Sequence, residues 1–482
     1  MIFRATMAAV AIAALTTGDL GADQQGPVRA LFADPELSTL VRQVPMGGAL
    51  GVEGVDLDGK EQPAVFELER VRVFAPGARI VVHGDDGERF LPVPDNVYFR
   101  GSIAGDPRSS VFLTSLAAGG LRGIVASAGE FWIMSAEGRE SGSGLLELRR
   151  VDAGTELAAK AGGFSCGTDG LDGPGHESPL PELIDLPPMA DKAGASYTAR
   201  VAVETDFEFF QKFGNVADAV DYVGDLFAFS SGIYAAEVAT TLLVSHLSLW
   251  TTSGDPWTQS SSSCAFLEFG RYWNYNRGSV ERTIAHFLSG KSTNSGIAWV
   301  GVLCSGAFSY SASGCSGLAP TVDLYGGGYG FTGGIDGNFN INSPSVLWDV
   351  VATTHEIGHN FNSGHSHCYE GVGGVSQSVD QCYGGQCGGS GCYCGGGGLP
   401  CGQPGAGCGT IMSYCHLLSG GLGNISLTFG LGHPYGVAPA RVPTRMNQHV
   451  VSRASSNPSC LALEASDQVF ADGFESGNTS AW

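Results

Sequence analysis

His355-Glu356-Ile357-Gly358-His359-Asn360-Phe361-Asn362-Ser363-Gly364-His365 decides how this chain is read. Two histidines four apart share one face of a helix, about one turn from each other. Neutral imidazoles at that separation can hold a single Zn²⁺ at roughly 2.0–2.1 Å. Glu356 directly follows the first of them, so it sits beside a water at the metal rather than on the metal, where it can serve as general base. Asn362 ends the helix, because asparagine tolerates the left-handed conformation better than any residue except glycine. The turn returns His365 as a third ligand and leaves a fourth position open, the pattern of a catalytic zinc rather than a structural one. A bare H-E-x-x-H arises by chance in many helices; the third histidine at this spacing makes accident a poor account.

Downstream, the segment between His365 and Cys415 is rich in glycine and cysteine and has too few large apolar residues for a core of its own, so disulfides must hold it. It closes on Cys408-Gly409-Thr410-Ile411-Met412-Ser413-Tyr414-Cys415-His416. Met412 in a tight turn would floor the ligand set, and Tyr414 would bring its hydroxyl near the metal or a developing oxyanion. Spacing favours the first three histidines, so His367 and His416 are read as surface residues.

The chain has thirteen cysteines, twelve of them from Cys264 onward. The simplest accounting is up to six disulfides there, with Cys166 the thiol left over. A second zinc cluster from Cys392, Cys394, Cys401 and Cys408 is the alternative, and disulfides are preferred to it in an exported chain. Residues 1–22, with Arg4 ahead of the apolar run Met7–Leu15 and small residues near Gly18–Ala22, read as a secretory signal. That run is too short to span a bilayer. Hydrophobic residues make up 43% of the 482, enough for real cores, and the net charge of −22 argues against nucleic acid and anionic membranes as partners. An exported monomer is expected.

Upstream of the zinc motif, residues 23–150 show short β-branched and aromatic runs such as Val65–Leu68, Arg79–Val82, Val97–Phe99, Ser110–Leu113 and Phe131–Met134, an all-β pattern. Residues 151–196 are rich in Gly, Pro, Asp and Ala and read as a linker. Within them Cys166-Gly167 suggests a thiolate that occupies the open metal position, the glycine letting the backbone approach closely. A buried thiol without that role is the alternative. From residue 197 to about 465 the pattern is α/β: strands over Tyr197–Thr205, Val238–Trp250 and Gly296–Leu303, and helices over Asn215–Phe229, Phe266–Leu288 and Ser345–Asn360. Asp467–Trp482 is a polar tail with spaced aromatics.

These motifs resemble the metzincin zinc proteases, and within them the reprolysin (adamalysin-like) branch with bacterial secreted members. The resemblance rests on HEIGHNFNSGH, on Ile411-Met412-Ser413-Tyr414 and on the strand Gly296–Leu303, and it covers about residues 197–460. It implies an α/β catalytic domain, a mixed twisted sheet with an active-site helix, preceded by a mostly β propeptide. It also implies His355, His359 and His365 as zinc ligands, Glu356 as general base, Cys166 as a latent-form ligand and protein or peptide substrates lying along an edge strand at 296–303. Asn362 stands where the family motif usually has glycine, and Tyr414 resembles the tyrosine of the astacin and serralysin branches. Calcium binds in some relatives; the residues here locate no site for it. A non-catalytic zinc-stabilised binding protein on the same fold, or a zinc hydrolase acting on something other than peptides, are the rival readings.

Overall fold

The computed structural model describes residues 28–34, 36–57, 62–135, 146–168, 171, 196–337, 339–388 and 391–463. The expected signal segment and the polar tail lie outside the described residues. In the N-terminal part, β1 (Val28–Leu31), α1 (Leu37–Gln43), β2 (Ala49–Val55), β3 (Ala64–Val71), β4 (Phe74–Gly84), β5 (Gly87–Leu91), β6 (Val97–Ile103), β7 (Asp106–Ser115), β8 (Leu121–Ser127), β9 (Glu130–Ser135) and β10 (Glu147–Val151) follow in order. All but β4 and β5 form one eight-stranded sheet, ordered β1-β2-β3-β6-β7-β8-β9-β10. Strands β8 and β9 are buried on both faces for a reason. Successive side chains alternate sides, so Trp132 and Met134 enter a core within this part, while Phe131 and Ile133 enter one shared with the rest of the chain.

Residues 152–168, within the stretch read as a linker, are folded: α2 (Ala153–Glu156), α3 (Ala158–Gly163) and the two-residue β11 (Ser165–Cys166). Ala153, Leu157, Ala161 and Phe164 are buried, a short helical stripe that Gly and Ala composition hides. Asp152 caps α2 by accepting from the Thr155 amide.

The remaining elements are β12 (Tyr197–Thr205), α4 (Phe207–Gln211), α5 (Val216–Val238), β13 (Thr240–Trp250), α6 (Ser262–Asn276), β14 (Ile284–Ser289), β15 (Ser295–Ala298), β16 (Phe308–Ser311), β17 (Val322–Gly326), β18 (Tyr329–Gly333), α7 (Val346–Asn360), α8 (Arg441–Ser456) and β19 (Leu461–Leu463). They build a mixed sheet ordered β11-β15-β18-β14-β12-β13-β4-β5, with β19 beside β12. The β4–β5 hairpin thus crosses from the N-terminal part to extend this sheet, β4 running parallel to β13. There His83 stacks on Trp250 with ring centroids 4.0 Å apart. Arg122 and Asp225 form a second tie, a buried ion pair between β8 and α5.

Three elements differ from the sequence expectation. The helix expected over 266–288 is α6 followed by β14; Ile284–Leu288 is a central strand buried on both faces, and such a run has no period to distinguish it from helix. The strand expected over 296–303 stops at Ala298. Gly301 then takes φ 66°, and the amides of Gly301 and Val302 donate to the carbonyls of His359 and Asn360 at 2.9 and 3.1 Å. Helix α5 runs nine residues past the expected end at 229, because Ile233, Tyr234 and Val238 continue its buried face to the left-handed cap Ala239.

Six disulfides pair the twelve downstream cysteines: 264–315, 304–460, 368–392, 382–415, 387–394 and 401–408. The alternative zinc cluster from Cys392, Cys394, Cys401 and Cys408 is therefore set aside, and Cys166 takes part in no disulfide.

Candidate active site

Helix α7 is buried along its whole length, and α5 grips it through polar contacts. Tyr222 donates to Asp349 at 2.6 Å, Ser230 meets the Thr354 hydroxyl at 2.9 Å, and Tyr234 donates to the Thr354 carbonyl at 3.0 Å. Burial pushes the Asp349 carboxyl up to about 6, against the Tyr222 hydroxyl and the Gly337 amide that hold its charged form. The helix ends at Asn360, and Asn362 takes φ 74°, the left-handed turn its side chain tolerates. Arg445 clamps that turn, its Nε donating to the Asn362 carbonyl at 2.6 Å.

Beneath the helix lies Met412, fully buried. A Cβ at Gly358 would stand 2.6 Å from its sulfur, so only glycine lets the methionine turn come this close. Two turns orient the histidines, the methionine turn for His355 and the turn after α7 for His359. His355 Nδ1 lies 2.7 Å from the Ile411 carbonyl, and His359 Nδ1 lies 2.8 Å from the Ser363 carbonyl. A carbonyl only accepts, so both Nδ1 atoms carry the proton and both Nε2 atoms carry lone pairs. His365 is oriented differently. The Gln386 amide lies 3.4 Å from its Nδ1 and also contacts His367 Nε2. Its Nε2 faces His365 and its Oε1 faces His367; with the amide turned end for end its oxygen would accept the Nδ1 proton.

The structure brings Cys166 to the same point, and the ligating atoms of Cys166, His355, His359 and His365 all lie within 4.8 Å of one another. The donor set fits a small tetrahedral cation. Two nitrogens about 2.05 Å from one zinc stand about 3.3 Å apart, and a thiolate and a nitrogen about 3.6 Å apart. The two Nε2 atoms of His355 and His359 are 3.2 Å apart, and Cys166 Sγ is 3.4 Å from His359 Nε2.

Cys166 is held from the opposite side of the cleft. β11 pairs parallel with β15, the Gly167 amide donating to the Gly296 carbonyl at 2.8 Å. The Thr168 hydroxyl accepts from the Ala298 amide at 3.0 Å and lies 3.1 Å from Cys166 Sγ. Glu356 Oε2 is 3.6 Å from that sulfur, and the Tyr414 hydroxyl donates to the Cys166 carbonyl at 3.5 Å. Two residues before Cys166, the Phe164 ring meets Trp348 edge-on at 5.3 Å, with His416 and His355 at 6.2 and 6.4 Å.

All six residues singled out in the sequence as a site therefore converge. His367 and His416 are not surface residues: His367 stacks on His365 at 5.4 Å under Tyr383, and His416 packs against Trp348. Burial pulls the His416 imidazole down to about 4, so it is neutral near pH 7. Sequence reasoning passed over Thr168 and Gln386, and read Gly296 only as the start of an edge strand. A Cβ at Gly296 would stand 2.1 Å from Glu356 Oε1, so this glycine makes room for the carboxylate. Only Thr168 carried a local signal, adjacent to Cys166-Gly167.

Residues 195–419 match the family model Reprolysin_5, metallo-peptidase family M12. That part of the chain is a reprolysin-type metallopeptidase domain. A metallo-peptidase family implies a metal, and Cys166, His355, His359 and His365 are a candidate set of ligands. No curated protein matches the chain. Among solved structures, a metalloproteinase-II from Bacteroides fragilis is similar over 74% of this chain and 93% of its own, at 11% identity and a TM-score of 0.36. A chaperone–substrate complex is similar over 35% and 27%, at 14% identity and 0.23. Likenesses of this size say nothing of how the reprolysin-type domain works.

Proposed function

We propose that the chain is an exported zinc endopeptidase held latent by its own Cys166. The observation that carries this is the four-donor cluster with the Glu356 carboxylate beside its sulfur member. His355, His359 and His365 would hold the zinc, with Cys166 as the removable fourth ligand. When bound, the zinc supplies Lewis acidity to the carbonyl of the scissile peptide and to the attacking water. Glu356 takes one proton from that water as its oxygen bonds to the carbonyl carbon. It then delivers the proton to the amide nitrogen as the C–N bond breaks, leaving a carboxylic acid and an amine. Tyr414 lies close enough to orient the carbonyl oxygen where negative charge develops.

Extended peptide suits the cleft because β15 has a hydrogen-bonding edge. The Gly296 carbonyl and Ala298 amide, now engaged by residues 167–168, would be released to a substrate strand when that segment leaves. Cutting the chain between 169 and 196 would start that release. A binding protein on this fold would have no use for a carboxylate set beside the ligands.

The test compares casein cleavage by the zinc-loaded full chain, its Cys166→Ala variant and a Cys166→Ala/Glu356→Ala variant. Cys166→Ala should cleave at least tenfold faster than the parent. The double variant should fall at least 10²-fold below it, as loss of a general base does. A zinc-loaded Cys166→Ala chain that cuts neither casein nor unfolded proteins would end the proteolytic reading.

A further inference from the structure

Upstream of Cys166 the chain keeps to the edge that β15 offers. The Ser165 amide donates to the Asn294 carbonyl at 3.4 Å, and the Asn294 side-chain amide donates to the Lys160 carbonyl at 3.0 Å. Lys160 turns its ammonium into the domain, 2.9 Å from Asp336 Oδ1 and 2.6 Å from the Gly334 carbonyl. Both acceptors lie on the connection from β18 to α7, and that connection is anchored. The Ile335 amide donates to the Ser289 carbonyl at 3.0 Å, and the Asp336 and Gly337 amides each donate to Asp349 Oδ2 at 3.1 Å. An open recess of about 250 Å³ adjoins them between Ser292, Asn294 and Asp336, with the exposed Lys212 on its rim.

Departure of residues 152–168 takes the Lys160 ammonium away. It leaves a carboxylate, a carbonyl and, one hydrogen bond behind them, the buried Asp349 carboxyl. Lys160 favours the charged form of Asp349 and Asp336 opposes it, so the emptied site favours a replacement cation. From Lys160 to Cys166 the chain takes three helical and three extended steps, about 14 Å in all, which an extended peptide covers in about four residues.

From this we infer that Asp336 and the Gly334 carbonyl form a substrate subsite for a lysine or arginine side chain, about four residues from the bond that is cut. Lys160 is then the chain's own occupant of the subsite, and Asp336 determines specificity. The inference rests on the proteolytic reading and adds a substrate class to it, polypeptides with a basic residue at that distance from the cut. Asp and Glu are poor occupants beside the Asp336 carboxylate, and an apolar side chain offers neither acceptor a donor.

The test uses the zinc-loaded full chain carrying Lys160→Ala and Cys166→Ala, in which thiol and ammonium are both removed. Cut sites in a denatured protein mixture are sequenced, and matched peptides with Lys, Arg, Ala or Glu at the enriched position are then compared at low and high salt. Lys and Arg should be enriched at one position, about four residues to one side of the cut. The kcat/KM for the Lys peptide should exceed that for the Ala peptide about fivefold, the upper range for a partly exposed ion pair, and high salt should shrink the ratio. Asp336→Asn, which keeps the shape and removes the charge, should bring the ratio toward one. Asp336→Lys should turn the preference to the Glu peptide. Cleavage with no basic enrichment at that distance, or a ratio unmoved by Asp336→Asn, overturns the subsite while leaving the peptidase standing. No cleavage of any peptide overturns both.

Discussion

Helix α7 with the Ile411–Tyr414 turn and the segment 152–168 face each other across the sulfur of Cys166, and they hold their groups by different means. On the α7 side, His355 and His359 are aimed by main-chain carbonyls, and α5 grips the helix through three polar contacts. On the other side, Cys166 is aimed by two strand residues, one threonine hydroxyl and one phenyl ring. The first wall is part of the domain's core; in the proposed zymogen the second is the one that withdraws. The latent site proposed above would need that asymmetry, since release must uncover the histidines without disturbing them.

The N-terminal part complicates the division, because its β4–β5 hairpin is built into the domain's sheet and its Arg122 neutralises Asp225 on α5. Burial raises Asp225 to about 6 even with Arg122 opposing it. Arg122→Leu should cost about 3–5 kcal/mol in denaturant unfolding, the usual penalty for stranding one member of a buried pair. A loss under 1 kcal/mol would show that this part is merely leaning on the domain.

His365 tests the comparison from within the permanent wall, since its orienting group is a side chain. Gln386→Leu should weaken metal retention about 10–100-fold in chelator competition, and Gln386→Glu should restore it. Equal retention in all three chains would mean His365 needs no side-chain support. On the removable wall, Thr168→Val deletes a hydroxyl worth about 1 kcal/mol. Basal cleavage by the full chain should rise about fivefold, well short of Cys166→Ala; no rise would leave Cys166 held by its strand pairing alone.

The smallest effect concerns acid. Burial first, and then Arg277, lower His83 from 6.5 to about 4, with Glu88 opposing. The unfolded chain therefore binds more protons between those values, and stability is lost as pH falls from about 6.5 toward 4. His83→Phe keeps a ring on Trp250 and should flatten part of that decline in a Tm-against-pH series. Buried His246 and His286, also lowered, should sustain the remainder.

The three-histidine cluster was legible because its spacing is local: helix period, one left-handed asparagine and a turn bring the histidines together within eleven residues. The methionine turn was legible only beside that motif. Long-range pairing was not. Nothing near Gln386 or Gly296 marks them as neighbours of His365 and Glu356, and nothing in Phe74–Gly84 says that it leaves its own sheet to join β13. The β14 run was misread for a different reason, since a strand buried on both faces loses the alternation that identifies strands. Residues 152–168 were read as linker because the two large members of their buried stripe, Leu157 and Phe164, are set among Gly and Ala.

The central claim is that Cys166 is a removable fourth ligand on a three-histidine metal, and cobalt substitution of the full chain tests it most directly. The intact chain should show a thiolate-to-cobalt charge-transfer band that disappears in Cys166→Ala, while the visible bands of a four-coordinate, nitrogen-bound cobalt persist. Bound cobalt without a thiolate band in the intact chain would contradict the account.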